Sequence, residues 1–180
     1  NLLRVVAGKH VLRRPAHLVV DVWREARREH QAQVFLRPVV AALALGAEGI
    51  NMGTRFLATK EAPVHDNMKK KIVDSDERQT ALIFRTLKHT GRVFRNSIAE
   101  KVLEVEARPG ETQFEDLVAL VSGEKSKKVI TNGNLEDGIW WTGMVMGLIH
   151  DIPTVQELIE RIVSEAEEII TAKLAKVIAR

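Results

Sequence analysis

No cysteine occurs in the 180 residues, which excludes disulfides, thiolate metal sites and cysteine nucleophiles. Tyrosine is absent too, and three tryptophans and five phenylalanines make up the whole aromatic complement. That is too little for a base-stacking platform of interleaved aromatics and cations, so no nucleic-acid partner is expected. No run of about 18 apolar residues occurs, so no membrane-spanning helix is expected either. The opening NLLRVVAGKHVLRRP lacks the long apolar core and the small-residue cleavage site of a signal peptide, and nothing points to secretion. A cytoplasmic location is the resulting expectation. The chain begins with Asn rather than Met, as a partial chain would. Neither charge sign dominates: 27 Lys and Arg face 24 Asp and Glu, mostly interleaved, for a net charge of +3, which describes a mixed solvated surface. What remains, 45% hydrophobic and 28% charged residues, is the composition of a globular chain with one sizeable core.

Along the chain, residues 1–38 are Arg-rich and without strand alternation, although Val19, Val22, Trp23 and Ala26 allow a helix over 19–33. The composition then changes. VVAALALGAEGI reads as a small-apolar helix closed at Gly46, and GINMGTRFLA as a short buried strand with glycine where backbone passes close to something. Helix, short turn and buried strand make one unit of a parallel α/β fold, whose chemistry lies at the carboxyl ends of strands, here at Met52 to Arg55. Downstream, the pattern predicts a helix over Asp66 to Asp74, an extended segment over Thr80 to Leu87, and helices over Asn96 to Ala107 and Thr112 to Val121. It also predicts a short strand over Lys127 to Thr131. Asp137 to Ile149 reads as a glycine-containing helix burying Trp141, Val145, Leu148 and Ile149. The last element is the clearest: Thr154 and Glu157 form a capping-box pattern, and apolar residues from Val155 to Ile178 recur at three- and four-residue spacing. A stripe of that length spans on the order of 40 Å, so it must lie across a larger body or a partner subunit, and self-association through this helix is an expectation.

The Gly-Thr pair in GINMGTRF offers backbone N–H groups and a hydroxyl that converge without bulky side chains, the donor set a phosphate monoester needs. On its own such a pair is more often an ordinary turn. The longer run AALALGAEGINMGTRFLATKEAPVH closely resembles the last barrel unit of the nitronate monooxygenases, formerly called 2-nitropropane dioxygenases, which are similar to flavin-dependent enoyl reductases. The resemblance continues through HDNMKKKIV, DERQTALIFRTLKHTGRVFRN and DGIWWTGMVMGLIHDIPTV, and so covers residues 39–180. It implies an α/β fold, the C-terminal portion of an FMN-binding TIM (β/α)8 barrel, mostly helical here with few strands. It also implies oxidation of an alkyl nitronate by FMN and molecular oxygen to a carbonyl compound and nitrite. Carried over by position, Asn51, Met52, Gly53 and Thr54 match the segment that holds the flavin phosphate. Arg55 either touches the flavin or clamps an acid such as Glu61. GMVMGLIHD stands where relatives reach back to the flavin, often with a Gln; Met144 and Met146 here either replace that polar contact or fill core. His65, His89 and His150 have no metal-ligand spacing and read as surface or capping residues, with His65 close enough in sequence to the phosphate segment to support it indirectly.

Two family features are missing. The Gly-Gly-His setting of the catalytic His has no counterpart, so the catalytic residue is unknown, and REHQAQVFLRPVV stands where a Gly-Gly pair should complete the phosphate cradle. Residues 1–38 thus read as a divergent or aberrant segment, from real divergence or from a partial or frameshifted gene. A complete barrel needs about 250 residues, so the chain should hold flavin poorly. An FMN-dependent enoyl reductase and an inactive helical fragment are the alternative readings.

Overall fold

A computed structural model of the chain describes residues 37–178. The proposed 19–33 helix and nearly all of the segment read as divergent lie outside the described residues. The described residues form two compact bodies: 37–51 with 156–178, and Met52–Val155.

In the first body, RPVVAALA folds as helix α1 (Arg37–Ala44), with Pro38 in its first turn, where a missing N–H costs nothing. Gly46 follows at φ +89, the left-handed stop expected there. The long last helix runs as α7 (Val155–Glu168), a π-helical stretch over Ile169–Leu174, and α8 (Ala175–Ile178). The Ala175 N–H reaches back five residues to the Ile170 carbonyl. The π-helical stretch packs against α1. Leu158, Ile162 and Ala166 are buried, whereas Ile159, Val163, Ile170, Leu174 and Val177 are exposed. The apolar stripe therefore divides: one row at four-residue spacing is covered, Val155 and Ile169 are half-buried, and the five exposed residues face outward.

The second body begins with α2 (Thr54–Leu57), a single helical turn, where the sequence pattern predicts a buried strand. Residues 47–53 are irregular. A strand of a parallel sheet exists only through its ladder, and among the described residues no strand lies alongside this one to supply the hydrogen bonds. Then come α3 (Asp66–Val73), a 3-10 turn at Glu77–Gln79, and the antiparallel pair β1 (Thr80–Ile83) and β2 (Gly91–Phe94), with Thr80 opposite Phe94 and Ile83 opposite Gly91. The extended segment expected to reach Leu87 stops at Phe84, which turns to φ 60. Glu106 holds that turn by accepting the Phe84 and Thr86 N–H groups.

Helix α4 (Ser97–Glu106) starts at Asn96, whose side-chain Oδ1 accepts the Ala99 N–H while its side-chain Nδ2 donates to the Leu135 and Gly138 carbonyls. Helices α5 (Glu115–Val121) and α6 (Gly123–Asn132) follow. The strand predicted over Lys127 to Thr131 is thus interior to α6. Its β-branched residues are outweighed by the single buried face at Val129 and by the left-handed stop at Gly133, φ +72. Ile83, Val93, Ala99, Val102, Leu117 and Ile139 form the core between the hairpin, α4 and α5.

The helix predicted over Asp137 to Ile149 shrinks to a 3-10 stretch at Met144–Leu148. Trp141 pairs its backbone with Val93, which holds the chain extended there, and its ring is half-exposed over Gly91. Of the two described tryptophans the buried one is Trp140, stacked on Phe94 at 4.6 Å between ring centroids.

Candidate functional site

Of the four residues expected to hold a phosphate, Asn51 is exposed at the end of the first body's opening segment, and Met52, Gly53 and Thr54 open the second. The Gly53 carbonyl accepts the Phe56 and Leu57 N–H groups at 3.0 and 3.1 Å, which makes Gly53 the cap of α2. The first amides of a helical turn have no partner within it. Gly53 is exposed, and a Cβ added there would meet nothing within 4 Å, so its backbone is open to close approach.

Thr54 is buried, and its hydroxyl oxygen accepts the Gly143 N–H at 2.8 Å across 89 positions of sequence. That bond consumes a lone pair and leaves the hydroxyl proton available to an acceptor. It also brings the GMVMG segment to the Gly53–Thr54 turn, as the resemblance implies for that segment. The two methionines separate: Met146 is fully buried and accepts the Thr142 hydroxyl on its sulfur, whereas Met144, next to Gly143, is half-exposed. Core filling holds for Met146 alone.

Arg55 is 3% exposed and clamps Asp151, donating to the carboxylate at 2.9 Å and to the backbone carbonyl at 3.2 Å. The clamp reading holds, with Asp151 as the acid. Glu61 acts elsewhere: both its oxygens accept the Val155 N–H, at 3.0 and 2.9 Å, where α7 begins. The Lys60 N–H donates to the Pro153 carbonyl. Residues 54–61 are thus tied to 143–155 at four points. Gly143, Asp151 and Pro153 carry no local signal of this; only their partners' distance in sequence hides them.

His65 caps α3, its Nδ1 accepting the Asn67 N–H at 3.1 Å, with its ring against Gly133. His89 and His150 are exposed. Among the described residues no group of three or more His, Asp or Glu is placed to hold a metal ion. The residues present fit the phosphate end of a flavin nucleotide: open backbone at Gly53 and a Thr54 hydroxyl whose oxygen is held by Gly143. The segment that replaces the second glycine pair lies mostly outside the described residues.

Comparison with known proteins gives a consistent neighbourhood. The family model described as nitronate monooxygenase matches residues 35–165. Among curated proteins the chain is 28% identical over 164 residues to a 5-hydroxy-7a-methyl-1-oxo-octahydro-1H-indene-4-carboxyl-CoA dehydrogenase of Rhodococcus jostii, covering 72% of this chain and 46% of that protein. It is 29% identical over 136 residues to the nitronate monooxygenase of Neurospora crassa, covering 73% of this chain and 35% of that one. The chain spans less than half the length of these curated relatives. Among solved structures, FabK from Thermotoga maritima aligns with a TM-score of 0.68 at 36% identity, over 79% of this chain and 44% of that one.

Proposed function

The chain belongs to the nitronate monooxygenase family, and on that premise we propose that it carries the flavin-phosphate-binding end of an FMN-dependent TIM (β/α)8 barrel that oxidises alkyl nitronates with molecular oxygen. The observation behind this reading is the Thr54 hydroxyl, fixed by the Gly143 N–H beside the open backbone of Gly53. In the proposal, the Gly53 and Thr54 N–H groups and the Thr54 hydroxyl donate to the phosphate oxygens, with Asn51 and Met52 leading the chain into the cradle. Arg55, clamped on Asp151, keeps the turn in place rather than touching the flavin. Met144 borders the cradle where relatives often carry a Gln. FMN, when bound, supplies the electron transfer that turns a nitronate into a carbonyl compound and nitrite.

No residue is assigned as the catalytic base, and residues 1–38 are proposed as a divergent segment outside this unit. The protein is proposed to act in the cytoplasm; among the described residues no helix is long and apolar enough to cross a membrane. Ile159, Val163 and Ile170, exposed on the last helix, offer a surface for self-association.

Nitrite release and oxygen uptake on an alkyl nitronate, measured without pyridine nucleotide, test the proposal. Activity that falls in Thr54→Ala and returns in Thr54→Ser supports it. An FMN-dependent enoyl reductase is the second reading, favoured by the similar identity to a relative named as a CoA-ester dehydrogenase. Oxidation of NADH or NADPH by an unsaturated thioester, with no turnover of nitronate, would replace the first reading by the second.

A further inference from the structure

We propose that a cleft built by residues other than Gly53 and Thr54, bounded by Lys60, Asp66, Lys69, Lys70 and Ile152, binds a phosphate group. Its volume is about 390 Å³, within the range of small-ligand sites. Three lysines and one aspartate line it, so the residues around it carry a net positive charge. Lys69 is 5% exposed. A buried ammonium is costly unless its donors are used, and Lys69 donates to the Lys60 carbonyl at 2.9 Å and stands 3.5 Å from the Asp66 carboxylate. The Asp66 side chain is 78% exposed, so its carboxylate is hydrated and offsets the buried charge only weakly. An anion in the cleft would complete that compensation.

Lys60 is set for the same purpose. Its N–H is bound by the Pro153 carbonyl and its own carbonyl by Lys69, so the side chain springs from an anchored backbone. Lys60 and Lys70 are exposed, and among the described residues neither ammonium has a carboxylate partner. A phosphate dianion gathers several ammonium groups more effectively than a carboxylate does, since it offers three charged oxygens. Ile152 adds an apolar wall, which suits the organic part of a phosphate ester.

Calorimetric titration of the full chain with inorganic phosphate and with ADP tests the site, alongside the double variant Lys60→Gln, Lys70→Gln. Saturable binding is expected, weakened by at least about tenfold in the double variant with its melting temperature unchanged. Tighter binding of ADP identifies an organic phosphate as the occupant, and equal affinities identify free phosphate. Absence of saturable binding to either, or affinities the double variant leaves intact, would overturn the proposal. A parallel loss of FMN affinity in the double variant would overturn it too, by making the cleft part of the flavin cradle; this separates its failure from failure of the Gly53–Thr54 reading.

Discussion

Thr54 joins the stability of the site to its chemistry, because the hydroxyl that would donate to a phosphate is also the acceptor for Gly143. Thr54→Ala leaves a part-buried N–H without its acceptor and should cost about 1–3 kcal/mol, while Thr54→Ser should cost much less. Denaturant titration of the three proteins checks this, and equal losses in both variants would show that the methyl group matters and the hydroxyl does not. At Arg55, Asp151→Asn removes the charge facing a guanidinium that is 3% exposed, on a partner whose own side chain is 45% exposed. The expected loss is about 1–3 kcal/mol, below that of a fully buried pair. Glu165 behaves oppositely to a paired acid: burial raises its pKa, only partly countered by Arg161. Its neutral form is favoured in the fold, so its contribution to stability is full at pH below the ordinary glutamate range and is lost as pH rises through the raised value. Glu165→Gln should therefore raise the melting temperature at neutral pH, with the gain vanishing on acidification; a gain independent of pH would refute the burial effect.

Among the elements, the approach of α6 to the loop at Gly138 is the tightest that backbone atoms make on a described glycine. A Cβ at Gly138 would stand 2.7 Å from the Lys125 carbonyl carbon and 2.9 Å from the Ser126 nitrogen, both backbone atoms that cannot swing aside. Gly138→Ala should cost about 1–3 kcal/mol, read as a lowered denaturation midpoint. Gly53→Ala meets no such obstacle and should leave stability within about 1 kcal/mol, so any flavin effect there is separable from folding. The helices are legible where an end signal and an apolar face agree: Gly46 after α1, and the whole of α7. The sequence misleads where a segment's conformation depends on distant partners. Gly49 to Ala58 has strand composition, but no ladder partner stands beside it among the described residues. Lys127 to Thr131 has β-branched residues inside a helix that Gly133 terminates. Trp141 has the spacing of a buried residue, yet its backbone pairing with Val93 makes Trp140 the core residue instead.

At the scale of the whole chain, the described residues are mostly helical with a single two-stranded sheet, in line with the few strands expected of residues 39–180. The proposed site is read from the sequence as a location, at Gly53 and Thr54, but not as a geometry. Gly143 lies 89 positions from Thr54, and no local pattern announces that bond. The chain spans less than half of its curated relatives, so cofactor affinity, rather than turnover, is the property that reads the cradle most directly. That measurement is a fluorescence-quenching titration of FMN against the chain and its Thr54→Ala and Thr54→Ser variants. Weak but saturable binding is expected, as for an incomplete barrel, lowered by at least about tenfold in Thr54→Ala and largely restored in Thr54→Ser. No saturable binding, or an affinity that Thr54→Ala leaves unchanged, would rule out Gly53 and Thr54 as the flavin-phosphate cradle.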